Sequence, residues 1–280
     1  MTIEKGELEQ AADTLRICIN IWGRQSGTDA VNELVRAILQ DEPLRMRRLA
    51  GIFHIDIAAI HELWLFCGTD AGKVKKHMKE YCELMRQSAD TVFGAVFEGM
   101  PVMCLSTPHS LRETEKVMVG MIADMRAVWP DAVIVRCCGL NNTTDCRKAY
   151  LTVLDALEDV RNIFPDRCLV LQGELEIAAK RRKLIDGGED AAMRSLAPLT
   201  ALKSDSESGD LLETVCTYLL DCAGSVTETA GKLFLHRNTI KYRLQRITDM
   251  LGHHPAKMPE MMGLYRSAAV YRLLVASKKT

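Results

Sequence analysis

The amino-acid sequence predicts an α+β multidomain protein with N-terminal helices, a mixed-sheet α/β domain and an all-α C-terminal domain. Apolar residues recur at helical spacing before residue 60 and after residue 210. Between these regions, short apolar runs typical of buried strands alternate with helical patterns. The Ser-rich stretch "KSDSESGD" has no apolar periodicity, which is typical of a linker. We expect an N-terminal helical region over 1–59, an α/β domain over 60–203, a linker over 204–210 and a helical domain over 211–280.

The composition is that of an ordinary globular protein, with 48% hydrophobic and 26% charged residues. No run of 18 or more apolar residues occurs, so we expect no membrane span. The N-terminus has acids before its apolar part and lacks the basic flank of a secretory signal peptide. These features predict a cytoplasmic protein.

The ten cysteines contain no CxxC pair, and most lie in apolar runs, as Cys67 and Cys104 do. Free cysteine in such runs behaves as a small hydrophobic residue, so we expect reduced thiols. The histidines lack the spacing of metal ligands, and the pair before Pro255 is more typical of a loop. We therefore expect no metal site and no cofactor.

Two or three helices are predicted over residues 5–50. One apolar stripe runs from Leu8 to Trp22. A second follows a capping signal near residue 26 and consists of Val31, Leu34, Val35, Ile38 and Leu39. Packing within the chain and a dimer contact account equally well for such stripes, so 1–59 is a possible dimerisation region.

The central region has the predicted element order βαββαβαβ, which favours a mixed sheet with helices on at least one face. Two of the strands are expected to join at Glu98–Pro101. The predicted strands lie at 61–67, within 90–106, at 132–138 and at 167–171, and the predicted helices lie at 71–88, 110–129, 144–163, 173–185 and 188–199.

Two helices of the C-terminal region are joined by a tight turn at Leu235–His236, which predicts a helix-turn-helix. The first begins at Ser225, three residues before Glu228, as in a capping box, and its Ala230 permits a close crossing. The second runs from about Arg237 to Leu251 and is stopped by Gly252 and Pro255. A last helix is expected over about 259–275.

The second of these helices separates its apolar and polar side chains. At about 100° per residue, an arc of roughly 60° forms a core face. That face consists of Ile240, Leu244, Ile247 and Leu251. Asn238, Lys241, Tyr242, Gln245 and Arg246 lie on the far side, with Arg237 and Arg243 flanking the core stripe. Residues 210–280 also carry ten Lys/Arg against six Asp/Glu, a net charge of +4, whereas the remainder carries −5.

These residue types suit double-stranded DNA. Residues at the start of a helix in the major groove reach base edges, where Arg pairs with guanine and Asn with adenine. The start here is His236, Arg237 and Asn238, while other polar side chains farther along suit phosphate contacts. The candidate DNA-binding residues are His236, Arg237, Asn238, Thr239, Lys241, Tyr242, Gln245 and Arg246.

The stretch "TETAGKLFLHRNTIKYRLQRI" resembles the C-terminal helix-turn-helix of PucR/CdaR-type bacterial transcriptional regulators, with a "HRNT" start and a following "RLxRI". The similarity extends to "LLETVCTYLLDC" before it and "LYRSAAVYRLL" after it. The resemblance implies a sequence-specific DNA-binding regulator whose preceding domain is similar to the GGDEF nucleotide-cyclase fold but catalytically degenerate. Only about 60 residues precede the first predicted strand, so the family's separate sensor domain looks missing or reduced, and a small-molecule effector stays unidentified.

Other functions have weaker support in the sequence. Gly187–Asp190 reads "GGED", but it lies between two helical patterns and suits the acidic first turn of a helix. The predicted hairpin has Met100 and Pro101 where a cyclase needs acids to hold Mg²⁺, so we expect no enzyme and no catalytic residues. The main alternative is a regulator whose C-terminal helices bind protein instead of DNA, and a cyclase-like enzyme ranks third. Since one recognition helix covers little surface, we expect a homodimer.

Overall fold

The computed structural model describes residues 27–278 of the 280-residue chain. Its contacts divide the chain into two compact units. The first contains the described residues up to Val153 together with Cys168–Gln172, and the second contains Leu154–Arg167 and the described residues from Gly173 onward. Within 27–278, no helix combines the length and the apolar character needed to cross a membrane. The helix predicted over Leu8–Trp22 lies outside the described residues.

The first unit follows the predicted order of strands and helices. Helices α1 and α2 precede β1, and a single helix separates β1 from a hairpin formed by β2 and β3. The elements are α1 Gly27–Leu39, α2 Pro43–Phe53, β1 Glu62–Cys67, α3 Ala71–Met85, β2 Val92–Phe97, β3 Met100–Leu105, α4 Leu111–Val128, β4 Val133–Cys138, α5 Thr143–Ile163 and β5 Leu169–Leu171. The predicted βαββαβαβ order is confirmed.

The five strands form one mixed sheet in the order β2-β3-β1-β4-β5. Neighbouring strands are antiparallel except for β4 and β5, which are parallel. In β1, Trp64 and Phe66 belong to the apolar cluster formed with α3 and α4. Leu63 and Leu65 alternate with them and are fully buried as well. Both faces of the central strand are therefore covered.

The turn between β2 and β3 is tighter than the sequence pattern suggested. Glu98 and Gly99 form a two-residue turn in which both residues have positive φ, +48° and +80°. Such turns match the twist of a hairpin. Pro101, expected in the connection, instead pairs with Val96 inside the ladder. It lies beyond the stretch of β3 that pairs with β1, where its missing N–H costs no hydrogen bond to that strand.

The apolar stripe of α1 packs inside the first unit. Leu34, Val35, Ile38 and Leu39 are fully buried there, and α1 lies against β2. The Asn32 side chain accepts a hydrogen bond from the Val96 N–H at 3.1 Å, which fixes the helix to the strand. Of the two roles considered for this stripe, packing within the chain is the one observed.

A buried ion pair joins two neighbouring strands of the sheet. The Glu62 carboxylate accepts hydrogen bonds from Arg136 at 2.9 and 2.6 Å and from the Trp64 indole N–H at 2.8 Å. The Arg136 guanidinium lies 5.8 Å from the centre of the Trp64 ring. The hydrogen bond to Glu62 raises the pKa of Arg136, so this cation stays charged. Both Glu62 oxygens therefore have hydrogen-bond partners, and loss of Arg136 would leave a buried carboxylate without its counter-charge.

Nine cysteines lie within the described residues, and all nine are free thiols. Seven are buried, whereas Cys138 is exposed and Cys168 is partly exposed. Burial raises the pKa of Cys137 and of Cys216 to about 12, so these thiols are protonated at neutral pH. They contribute apolar packing, as the sequence suggested.

The second unit is helical and carries the C-terminal pattern. After α5 its helices are α6 Gln172–Asp186, α7 Glu189–Ser195, a 3₁₀ helix at Ala197–Ser204, α8 Ser208–Cys216 with a π-helical continuation at Thr217–Asp221, α9 Val226–Lys232, α10 Arg237–Leu251 and α11 Glu260–Ser277. Glu189 and Asp190 occupy the first turn of α7, which confirms their helical interpretation. Residues 208–210, expected in a linker, form the start of α8. The domain boundaries stay predictions.

Candidate nucleic-acid interface

Helix α9 begins with the predicted cap. The Ser225 hydroxyl oxygen accepts a hydrogen bond from the Glu228 N–H at 3.3 Å. Thr229 donates its hydroxyl to the Ser225 carbonyl at 2.7 Å and is fully buried. Ala230 is buried in the middle of the helix, where a small side chain permits the close approach of a neighbouring helix. The sequence therefore fixes both the start of α9 and its inner face.

The turn from α9 to α10 is held by backbone and side-chain bonds. The Leu235 N–H donates to the Ala230 carbonyl at 3.0 Å, while Phe234 takes a left-handed conformation with φ of +54°. His236 is the N-cap of α10, and its Nδ1 accepts a hydrogen bond from the Asn238 N–H at 3.2 Å. This capping role of His236 was not predicted, because histidine is an uncommon N-cap.

Helix α10 has the apolar face and the ends that the sequence predicts. Ile240, Leu244 and Ile247 are buried, and Leu251 is half-buried at the end of the stripe. Gly252 ends the helix in a left-handed conformation, and its N–H donates to the Thr248 carbonyl at 2.8 Å. The buried face fixes which side chains of α10 point outward.

The first half of α10 presents polar side chains that bind nothing else in the described chain. Arg237, Asn238 and Lys241 are exposed. None of the three side chains forms a hydrogen bond or an ion pair with any residue in the described range 27–278. Thr239 beside them is half-buried. This end of the helix therefore carries two positive charges and one amide that are available to an external ligand.

The part of α10 from Arg243 onward, which we call its second half, is bound to residues 205–210, which we call the acidic segment. Arg246 donates two hydrogen bonds to Asp205, at 2.9 and 2.8 Å, and one to Glu207, at 2.9 Å. Arg243 pairs with Asp210 and donates to the Thr214 hydroxyl at 3.2 Å. The guanidinium groups in this half are therefore neutralised by carboxylates of the same unit.

The two remaining candidate residues also have partners on α10 itself. The Gln245 amide donates to Asp249 at 2.8 Å. The Tyr242 hydroxyl accepts a hydrogen bond from Arg246 at 3.3 Å, although its ring is largely exposed. The eight candidate residues thus form three groups. Those near the helix start are unpaired within the described residues, His236 caps the helix, and Tyr242, Gln245 and Arg246 have hydrogen-bond partners within the second unit.

The acidic segment could not be identified as a partner of α10 from the sequence. Its acids suggested a solvated linker, because they alternate with Ser and Gly and show no periodicity. In the structure the 3₁₀ helix ends at Ser204 and α8 starts at Ser208, which brings Asp205 and Glu207 to Arg246. The Asp205 side chain is only 9% exposed in this pair. The net charge of +4 for residues 210–280 does not include Asp205 and Glu207. It therefore overstates the positive charge that is available to an external anion.

A second ion-pair cluster holds the helices around α9. Asp221, the last residue of the π-helical continuation, accepts a hydrogen bond from Arg272 of α11 at 2.8 Å. Lys232 at the end of α9 pairs with Asp166 at 2.9 Å. These contacts hold α9 and α11 to the rest of the second unit. They therefore fix the position of α9, which leads into the turn and the start of α10.

Several known proteins are similar to this chain. Uncharacterised proteins of Mycobacterium bovis and Mycobacterium tuberculosis are 38% identical to it over 91 residues, which is 30% of this chain. The match covers 22% of the length of those relatives. A crystal structure of a regulator of polyketide synthase expression from Bifidobacterium adolescentis aligns over 92% of this chain and 98% of that one, with 16% identity and a TM-score of 0.41.

The helix-turn-helix described above coincides with a known domain family. Residues 211–270 match the model of the PucR C-terminal helix-turn-helix domain. The matched range begins within α8, contains α9 and α10, and ends within α11. This match supports a regulator of transcription. The C-terminal part of the chain is thus a helix-turn-helix domain of the PucR type.

Proposed function

We propose that this chain regulates transcription by binding double-stranded DNA in a sequence-specific manner, with α10 in the major groove. The observation that carries the proposal is the exposed start of α10, where Arg237, Asn238 and Lys241 have no partner within 27–278. A helix whose start carries unpaired donors, and whose opposite face is buried, is suited to groove recognition.

Each residue near the start has a defined role in the proposal. Arg237 pairs in a bidentate manner with guanine O6 and N7, and Asn238 pairs with adenine. Lys241 and Thr239 contact phosphates, which position the helix without reading bases. His236 acts by capping the helix, since its Nδ1 already accepts the Asn238 N–H.

The residues of the second half of α10 need an exchange of partners before they bind phosphate. Arg246 would have to leave Asp205 and Glu207, two carboxylates that already satisfy its donors. An incoming phosphate offers the same kind of charge-assisted bond, so the gain from the exchange is small. We therefore assign Arg246 the role of holding α10 to the acidic segment, and we place Tyr242 and Gln245 at the edge of the interface.

The proposed DNA-binding form is a homodimer. One recognition helix buries too little surface for tight specific binding, and two copies would read half-sites about 34 Å apart. We propose that the sheet-containing first unit is a GGDEF-like scaffold without catalysis, which pairs the chains or binds a small-molecule effector. The element order βαββαβαβ supports this assignment.

Selection of bound DNA from a random pool by the purified full chain tests the proposal. We expect enrichment of a two-fold repeated sequence and binding that weakens as salt rises. The variant Arg237→Ala Asn238→Ala should enrich no sequence. Arg266→Ala is the matched control, because Arg266 is an exposed arginine of α11 outside the proposed interface. A pool without enrichment, together with capture of a protein by the same helices, would support the protein-binding alternative instead.

A further inference from the structure

Phe234 is an exposed aromatic residue in the turn that leads into α10. Its side chain is 95% exposed, the highest value among the large hydrophobic residues that are exposed in the described chain. The residues on either side, Leu233 and Leu235, are partly buried. The turn therefore packs through its neighbours and leaves the Phe234 ring outside.

The backbone at Phe234 makes this ring more unusual. Its φ of +54° lies in the left-handed region, which glycine adopts readily and bulky side chains rarely do. The other described residues with positive φ are glycines, such as Gly224 and Gly252, or are polar or small, namely Asp41, His54, Glu98 and Ala223. Phenylalanine at position 234 therefore adds backbone strain and contributes little packing within the unit. A strained and exposed apolar ring of this kind is a candidate for contact with a ligand.

The residues that follow Phe234 indicate what kind of ligand its ring could contact. His236 follows two residues later as the cap of α10, and the exposed Arg237 and Asn238 come next. Phe234 thus precedes Arg237 by three residues, and both side chains are exposed. In the major groove, the apolar feature of a base edge is the C5-methyl group of thymine.

We propose that Phe234 reads a thymine by apolar contact with its methyl group, next to the bases contacted by Arg237 and Asn238. This inference rests on the proposed DNA-binding function. It adds a specificity-determining residue that lies before the recognition helix and carries no charge or hydrogen-bonding group.

Replacement of single thymines by deoxyuridine in the selected DNA tests the contact, because deoxyuridine lacks only the methyl group. For the parent chain, one such replacement in each half-site removes two methyl groups from the dimer's site and should weaken binding by about 15-fold, which is about fourfold for each buried methyl group. Phe234→Asn should bind the thymine and deoxyuridine sites equally, since asparagine tolerates the left-handed backbone and removes the ring. Phe234→Leu should retain part of the dependence on the methyl group.

Thermal unfolding separates this role from a structural one. Phe234→Asn should unfold at the same temperature as the parent or higher, because strain is relieved and no buried contact is lost. Val119→Ala, which trims an exposed apolar side chain of α4, is the control and should alter neither property. A parent chain that binds its selected DNA without any dependence on thymine methyl groups would overturn the inference and leave the proposed function intact. Equal sensitivity of the parent and Phe234→Asn to deoxyuridine would do the same, whereas a parent that selects no DNA would overturn both.

Discussion

The two halves of α10 carry similar residues in different electrostatic states. In the first half, Arg237 and Lys241 are exposed and have no partner within the described residues. In the second half, Arg243 and Arg246 are paired with carboxylates of α8 and of the acidic segment. Positive charge on α10 is therefore available to an external anion near the start of the helix and already paired farther along it.

The difference has a direct energetic meaning for DNA binding. A phosphate that meets Arg237 or Lys241 displaces only water and counterions, and the release of counterions drives association. A phosphate that meets Arg246 must displace Asp205 and Glu207, which then lose their own partner. Counting cations on a helix thus overestimates its affinity for DNA wherever another segment supplies acids.

The largest effect on DNA binding is expected at the start of the helix. Arg237→Ala should weaken binding to the selected sequence by about 1–3 kcal/mol and relax specificity at the base pair it reads. The measurement is a titration of labelled DNA at fixed salt. Arg266→Ala removes the same charge from α11 and should change affinity much less. Equal losses for the two variants would show that only overall charge matters, which would remove the distinction between the two halves.

A smaller effect is expected at Lys241. Lys241→Ala should weaken binding to specific and unrelated DNA alike, because a phosphate contact carries no sequence information. It should also reduce the slope of log K against log salt by about 1.8, because each copy in the homodimer loses one phosphate contact worth about 0.9. Lys257→Ala, an exposed lysine between α10 and α11, serves as the matched control. A salt slope identical to that of the parent chain would exclude a phosphate contact by Lys241.

The parts of the interface that were predictable depend on short-range patterns. Ser225 and Glu228 lie three residues apart, and the buried stripe of α10 repeats every three or four residues, so both followed from spacing alone. Gly252 ended α10 because it takes a left-handed conformation that few other residues accept. The strands of the first unit were likewise visible as short apolar runs.

The parts that were missed depend on contacts between distant residues. Asp205 and Arg246 are 41 positions apart in the sequence. No local pattern shows that an acid in a Ser-rich stretch pairs with a particular arginine. The connection between β2 and β3 was predicted over Glu98–Pro101, but the turn consists of Glu98 and Gly99 alone. Proline normally interrupts a strand, whereas Pro101 lies in the part of β3 that does not pair with β1. Both errors come from tertiary context that overrides a local preference.

The smallest effect on DNA binding is expected at Arg246. Because its donors already bind Asp205 and Glu207, Arg246→Ala should leave the salt slope unchanged and lower the urea concentration at which the second unit unfolds. Asp205→Asn should have the opposite effect on DNA binding, since it leaves Arg246 with Glu207 as its remaining acidic partner. It should steepen the slope by up to about 0.9 for each chain of the homodimer. The variant with both changes should return the slope to the parent value, which separates release of Arg246 from a general gain of positive charge. A reduced slope in Arg246→Ala would mean that DNA displaces the carboxylates, and the two halves of α10 would then act as one surface.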